Sequence, residues 1–287
     1  MAILVDENTR VLVQGITGRV GRVQTKLMID YGTKIVCGVA PGKGGTKLHG
    51  LPVYDTIEEA LMKHDVNCSV IFVPAPNVKD AAFEAIDAGI QLIVIITEGV
   101  PVHDTMKIKA FAERKGAIVI GPNTPGIISP GKSKVGIFPG NLFKFGEVGI
   151  VARSGTLATE IAGNLSEAGF GQSTCVGIGG DMVTGITFVD ILKMFEEDDE
   201  TKNIVIVGEI GRTVEEEAAA YIRKKVSKPV FAFIAGKLAP PEKRMGHAGA
   251  IIGGEKETAQ TKIKVLREAG VKVVEVPFEI VETLKST

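Results

Sequence analysis

Tryptophan is absent from the 287 residues, and tyrosine and cysteine occur three times each. The cysteines, Cys37, Cys68 and Cys175, are odd in number and far apart, which suggests neither a CxxC metal site nor a disulfide framework. Such usage fits a reducing compartment, so a cytoplasmic protein is expected. An excess of basic charge is also missing: 33 Lys and Arg stand against 34 Asp and Glu, for a formal net charge of -1. Condensing on a polyanion needs that excess, so nucleic acid is not an expected partner. No apolar run reaches the roughly 18 residues of a membrane span, and the opening MAILVDENTR has no basic n-region. Neither membrane insertion nor export is expected. With no H-E-x-x-H and no GxSxG, a zinc hydrolase and an α/β-hydrolase lack their basic parts. No P-loop is read either, and no nucleoside triphosphate site is expected.

Glycine is plentiful, at 35 residues, which points to many tight turns where backbone approaches something closely. A chain of 287 residues is near the upper limit for one core, so two domains are expected. Short β-branched runs ending in Gly or Pro recur, each followed by a segment of helical period, and this is the sequence form of βαβ units. The fold class is α/β. In the first half, strands are expected at 11–15, 35–39, 69–73, 92–97 and 117–120, with helices in the gaps. They are apolar at nearly every position, as in a parallel sheet covered on both faces. Residues 1–122 read as a Rossmann-type domain. The stretch 123–146, dense in Gly and Pro, reads as a linker. Strands expected at 148–152, 174–178, 204–208, 230–234 and 271–276 then make 147–287 a second doubly wound, flavodoxin-like sheet. The acidic run 196–200 is expected to cap and solvate a helix end.

Several strand ends offer chemistry. The first runs into Gly15-Ile16-Thr17-Gly18-Arg19-Val20-Gly21 and a helix, where an α/β sheet binds phosphates. The spacing is GxxGxxG, and the second strand ends in Val39-Ala40-Pro41-Gly42-Lys43 without the carboxylate a nicotinamide site would place there. Lys43 on a turn suits another phosphate instead, as on the ribose of coenzyme A or NADP; a tight structural turn with a solvated lysine is the plain alternative. Val73-Pro74-Ala75-Pro76 and Ile96-Thr97-Glu98-Gly99 lie on the same carboxyl edge and suit either the wall of a long, thin ligand or ordinary turns. In the second half, Arg153-Ser154-Gly155-Thr156 opens a helix whose first N–H groups form a second anion site or a simple cap, with Arg153 a plain surface charge. Gly177-Ile178-Gly179-Gly180-Asp181 is a close approach to a ligand or a turn.

Four histidines occur. His49, His64 and His103 sit in polar turn or helix-end settings. His247 stands among small residues, Met245-Gly246-His247-Ala248-Gly249, on a loop that suits a nucleophile or general base, though a lone histidine is also commonly structural. Glu209, at the end of another strand, either orients that imidazole, fixing its tautomer, or is a surface charge.

In order, GITGRVG, PGKGG, VPAP, ITEG, GPNTPG, ARSGTL, GIGGD, GEIG and GHAGAI closely resemble the α subunit of succinyl-CoA synthetase over nearly the whole chain. The resemblance implies an acid–thiol ligase that binds coenzyme A through Thr17, Gly18, Arg19, Val20, Lys43, Pro74, Ile96, Thr97 and Glu98. It gives His247 a covalent phosphate, Glu209 the partner role, and Ser154 and Gly155 the phosphate site. It also implies a β subunit that holds the nucleotide, ADP or GDP, with Mg2+, and succinate or a related acid and phosphate as further substrates. Thr159 stands where the family commonly has a tyrosine linked to the acid substrate, Thr124 where it has cysteine, and Met182 where it has proline. A ligase for another acid, an NADP-dependent oxidoreductase and a non-catalytic CoA-sensing module are the alternatives.

Overall fold

The computed structural model describes residues 2–286. Its first half runs β1 (Arg10–Gln14), α1 (Arg19–Tyr31), β2 (Lys34–Val39), β3 (Lys47–Leu48), β4 (Leu51–Tyr54), α2 (Ile57–Leu61), β5 (Cys68–Ile71), α3 (Val78–Asp87), β6 (Leu92–Ile95), α4 (Val102–Lys115) and β7 (Ile118–Ile120). The strands lie in the order β3-β4-β2-β1-β5-β6-β7, parallel except for the β3–β4 pair. β5 and β6 are buried at every position, as helices on both faces require. The chain winds outward from β1 through β2 to β4, then restarts on the other side at β5. Connections therefore diverge between β1 and β5 and leave a crevice at their carboxyl ends. The pair β3–β4 was not expected from sequence: β3 is two residues long, and its turn uses positive φ at His49 (51°) and Gly50 (81°), the geometry of a tight hairpin.

The second half adds β8 (Gly126–Ser129), β9 (Ser133–Gly136), β10 (Phe145–Ala152), α5 (Gly155–Glu167), β11 (Gln172–Gly177), α6 (Phe188–Glu197), β12 (Asn203–Glu209), α7 (Val214–Lys225), β13 (Val230–Ala235), α8 (Ala259–Glu268), β14 (Lys272–Val274) and α9 (Glu279–Lys285). Its order is β14-β13-β12-β10-β11-β8-β9, in which β10 to β14 pair in parallel as a flavodoxin-like sheet and the connections diverge between β10 and β12.

The segment 123–146, expected as a linker, instead carries the hairpin β8–β9, which pairs antiparallel with β11 and closes the edge of the second sheet. Its alternation is invisible because both strands are buried at every residue, polar Ser129, Ser133 and Lys134 included. It also holds GIISPGKS at 126–133, which fits the P-loop spacing GxxxxGK[ST] and corrects the reading that the chain has none. A P-loop needs a strand before and a helix after. Here the string is two antiparallel strands, Ser133 is buried, and Lys132 Nζ pairs with Glu200 at 2.6 Å. The acidic run is likewise not merely solvated: Glu196 accepts from the Ser227 N–H at 3.0 Å, and Asp198 is buried and accepts from Thr201.

β9 lies against α1. Thr33 Oγ1 donates to the Lys134 carbonyl at 2.7 Å and accepts from its N–H at 3.0 Å, and the Gly136 N–H reaches Met28 Sδ at 3.3 Å. Val11, Val13 and Met28 share one connected core with Val135, Val151 and Val176, so the two sheets are joined by packing as well as by chain. No helix among the described residues is long and apolar enough to cross a membrane.

Candidate active site

The β1–β5 crevice is a cleft of about 500 Å³ whose walls include Gly15, Thr17, Gly18, Lys43 and Pro74. Gly15 turns the chain at φ 75°, and a Cβ on Gly21 would lie 2.2 Å from the Gly15 oxygen, so α1 packs onto the turn only through glycine. The α1 cap, Gly18, offers no side-chain acceptor, which leaves the first N–H groups of the helix for a ligand. The Lys43 turn is braced: Asp55 Oδ1 accepts from the Lys43 N–H at 3.0 Å and the Gly44 N–H at 2.8 Å. The Lys43 side chain itself is exposed. Arg19 and Val20 are exposed on the first turn of α1 and are not among the residues lining this cleft.

A second cleft, of about 510 Å³, opens where the halves meet. Ile96 and Glu98, from the loop after β6, face Arg153, Gly155, Thr159 and His247 across it. Thr97, between them, donates to the Val73 carbonyl at 2.7 Å and so ties the floor of one cleft to the wall of the other. Of the residues singled out from sequence, Thr17, Gly18, Lys43 and Pro74 thus gather at the first cleft, and Ile96, Glu98, Gly155, Thr159 and His247 at the second.

His247 lies on the loop between β13 and α8. Its Nδ1 is 2.9 and 3.1 Å from the two oxygens of Glu209, at the end of β12, and Nε2 has no protein partner among the described residues. The ring rests on the backbone of Gly180, where a Cβ would lie 2.4 Å from the ring Cγ. Gly249 N–H donates to the Gly180 carbonyl at 2.9 Å, so the glycines around His247 serve close packing. The hydrogen bond that Nδ1 donates to Glu209 raises the imidazole pKa above its usual 6.5; burial opposes this, and the Glu209 charge reinforces it.

Arg153 was read from sequence as a plain surface charge. It is fully buried, with Nη1 on the Gly211 carbonyl at 2.8 Å and Nη2 on Gly249 at 2.9 Å and on Glu209 Oε1 at 3.2 Å. Glu209 is itself only 7% exposed, so it is no surface charge either. Ser154 caps α5, its Oγ accepting from the Leu157 N–H at 3.4 Å, and the first turn of α5 carries no acidic residue, so its positive end faces the cleft. Thr159 donates to the Gly155 carbonyl at 2.9 Å within the helix. Thr124 is buried and bonded to Gly177, a structural position.

Sequence reasoning missed Asp181. Its carboxylate accepts from Asn123 Nδ2 at 3.0 Å, and its pKa is raised chiefly by burial. Among the signals available, only its place after Gly179-Gly180 at a strand end marked it.

A Rossmann-type domain with an open glycine turn, joined to a flavodoxin-like domain in which a loop histidine, paired with a strand-end carboxylate, faces the shared cleft, fits a two-domain CoA ligase. The CoA binding domain family matches residues 6–99 and the CoA-ligase family residues 151–272. The chain is 57% identical over 285 residues to succinate–CoA ligase [ADP-forming] subunit alpha 1 of Archaeoglobus fulgidus, covering 99% of this chain and 98% of that one. It is 58% identical over 284 residues to the corresponding alpha subunit of Methanothermobacter thermautotrophicus, covering 99% and 96%. Among solved structures, Methanosaeta concilii ATP citrate lyase in complex with (3S)-citryl-CoA superposes with a TM-score of 0.91 at 29% identity; the match covers 99% of this chain and spans 50% of that one. The chain belongs to the family of succinate–CoA ligase α subunits.

Proposed function

We propose that this chain, with a β subunit, interconverts succinyl-CoA, phosphate and ADP with succinate, CoA and ATP by carrying phosphate on Nε2 of His247. The observation that carries this reading is the Nδ1–Glu209 hydrogen bond of 2.9 Å, which leaves Nε2 as the nucleophile in a cleft shared with the N-terminus of α5. ADP as acceptor, and the β subunit itself, rest on the names of the relatives, which read ADP-forming and subunit alpha. We place the CoA-binding unit at 1–122 and the ligase unit at 147–287, with the hairpin of 123–146 belonging to the ligase unit's sheet, and the enzyme in the cytoplasm.

The residues fit coenzyme A. Glycines let α1 approach the β1 turn, the helix end is open, and exposed Lys43 stands where a phosphate on the ribose would need a cation. The chain running through Pro74, Ile96, Thr97 and Glu98 would carry the thiol end into the second cleft. There a phosphate oxygen attacks the thioester carbon, the C–S bond breaks, and the thiolate takes a proton as succinyl phosphate forms. Nε2 then attacks phosphorus and the bond to the succinate oxygen breaks. Nδ1 keeps its proton, so the ring becomes cationic, and the Glu209 carboxylate faces that charge. The N–H groups at Ser154 and Gly155 receive the phosphoryl oxygens. A terminal oxygen of ADP finally attacks phosphorus, the N–P bond breaks, and the neutral ring is restored. When bound beside the nucleotide on the partner, Mg2+ supplies positive charge to its phosphates. Thr159 would meet the acid substrate.

With the β subunit and labelled ATP, the chain should acquire phosphate that is labile in acid and stable in base, and His247→Asn should acquire none while still binding CoA. Normal acid-labile labelling of His247→Asn overturns the reading.

A further inference from the structure

Behind the imidazole–carboxylate pair lies a row of charges that the mechanism above does not use. Arg153, Glu215 and Lys262 are each 0% exposed. Glu215, in the first turn of α7, directs one oxygen at Arg153 Nη1 (3.2 Å) and at the backbone N–H of Glu209 (3.1 Å), and the other at Lys262 Nζ. Lys262, on α8, also donates to the Arg212 carbonyl at 2.9 Å. The fold makes room for this carboxylate: a Cβ on Gly208 would lie 2.8 Å from Glu215 Cγ and Oε1, so the last turn of β12 closes over Glu215 only because residue 208 is glycine. Arg153 passes the arrangement on. Its Nη2 reaches Glu209 Oε1 and the carbonyl of Gly249, two residues from His247.

Three buried charges cost desolvation that an apolar cluster of the same volume would not, so this row is a poor device for stability alone. Each contact instead fixes one coordinate of the pair: the Glu209 backbone directly, its side chain through Arg153, and the His247 loop through Gly249. We infer that Glu215 is the positioning residue of the His247–Glu209 pair, acting through Arg153, and that Lys262 balances the charge Glu215 brings. For its consequence on turnover the inference rests on His247 being the phosphate carrier; for the geometry it does not.

The charges facing each group fix the expected signs. Glu209, Arg153 and Asp181 act on His247; Arg153, Lys262, Glu216 and Arg212 surround Glu215. Glu215→Gln removes one negative charge from this set, leaving Arg153, Lys262 and Arg212 opposed by Glu209 and Glu216, which disfavours the imidazolium. Lys262→Met removes one positive charge, leaving Glu209, Glu215 and Glu216 opposed by Arg153 and Arg212, which favours it. The His247 ring, followed by NMR through its Cε1 proton in the full-length chain and assigned with His247→Asn, should therefore titrate lower in Glu215→Gln and higher in Lys262→Met. Each shift should be roughly half to one pH unit. The double variant restores the charge balance but not the grip on Arg153. It should titrate near wild type, yet acquire phosphate from labelled ATP and the β subunit about tenfold more slowly. The double variant also serves where a single variant fails to fold. Shifts of the same sign, no shift, or a double variant that labels at the wild-type rate overturn the inference. A wild-type chain that titrates as expected but never labels refutes the phosphate reading instead.

Discussion

Glu209 decides the charge His247 carries, and the sign of that effect can be tested. The folded pKa of the ring lies above 6.5 because of the Glu209 hydrogen bond. The pair's contribution to stability is therefore complete below about pH 6.5 and lost as pH rises through the folded value. The melting-temperature difference between wild type and Glu209→Gln should accordingly be larger at pH 6 than at pH 9; a difference that grows with pH contradicts the pairing. The same variant should slow phosphate labelling without moving the label elsewhere. Gly180 is the ring's other support. Gly180→Ala puts a methyl 2.4 Å from the ring Cγ, so labelling should fall by more than tenfold while calorimetric CoA affinity is unchanged. At the first cleft, Lys43→Ala should weaken CoA by roughly tenfold to a hundredfold, the worth of a charge-assisted phosphate contact. Dephospho-CoA should lose almost nothing, and equal losses for both ligands refute a contact to the 3′-phosphate.

Among the elements, α5 does two things at once, since its N-terminus is both capped by Ser154 and open to the cleft. Ser154→Ala should cost about 1 kcal/mol in denaturant unfolding, and a larger loss in labelling than in stability marks the second role. The central strands were legible from sequence because parallel strands covered on both faces are continuous apolar runs, as at Cys68–Ile71 and Leu92–Ile95. The hairpin β8–β9 was not, because it is bonded to Tyr31, Thr33 and Thr174, partners far away in sequence. The site divides in the same way. Glu209 stands at a strand end and His247 among small residues and glycines, where short-range signals reach. The burial of Arg153 and the pairing of Asn123 with Asp181 depend on contacts 56 and 58 residues apart, which periodicity does not register.

At the scale of the whole molecule, the proposed function gives CoA and the phosphorylated imidazole to this chain and the nucleotide to a partner. The pure chain should therefore make no ATP from succinyl-CoA, phosphate and ADP, and adding a cognate β subunit should restore turnover; robust synthesis by the single chain would count against the division of labour. The hairpin on α1 has a consequence for how the protein is made. Thr33 and Met28 find their partners 101 and 108 positions later in the chain. On the ribosome, the first sheet is thus ready to fold while one face of α1 is still waiting for residues not yet translated. That face is covered only when Lys134 and Gly136 have emerged and the second sheet begins to form, and until then it is open to a chaperone.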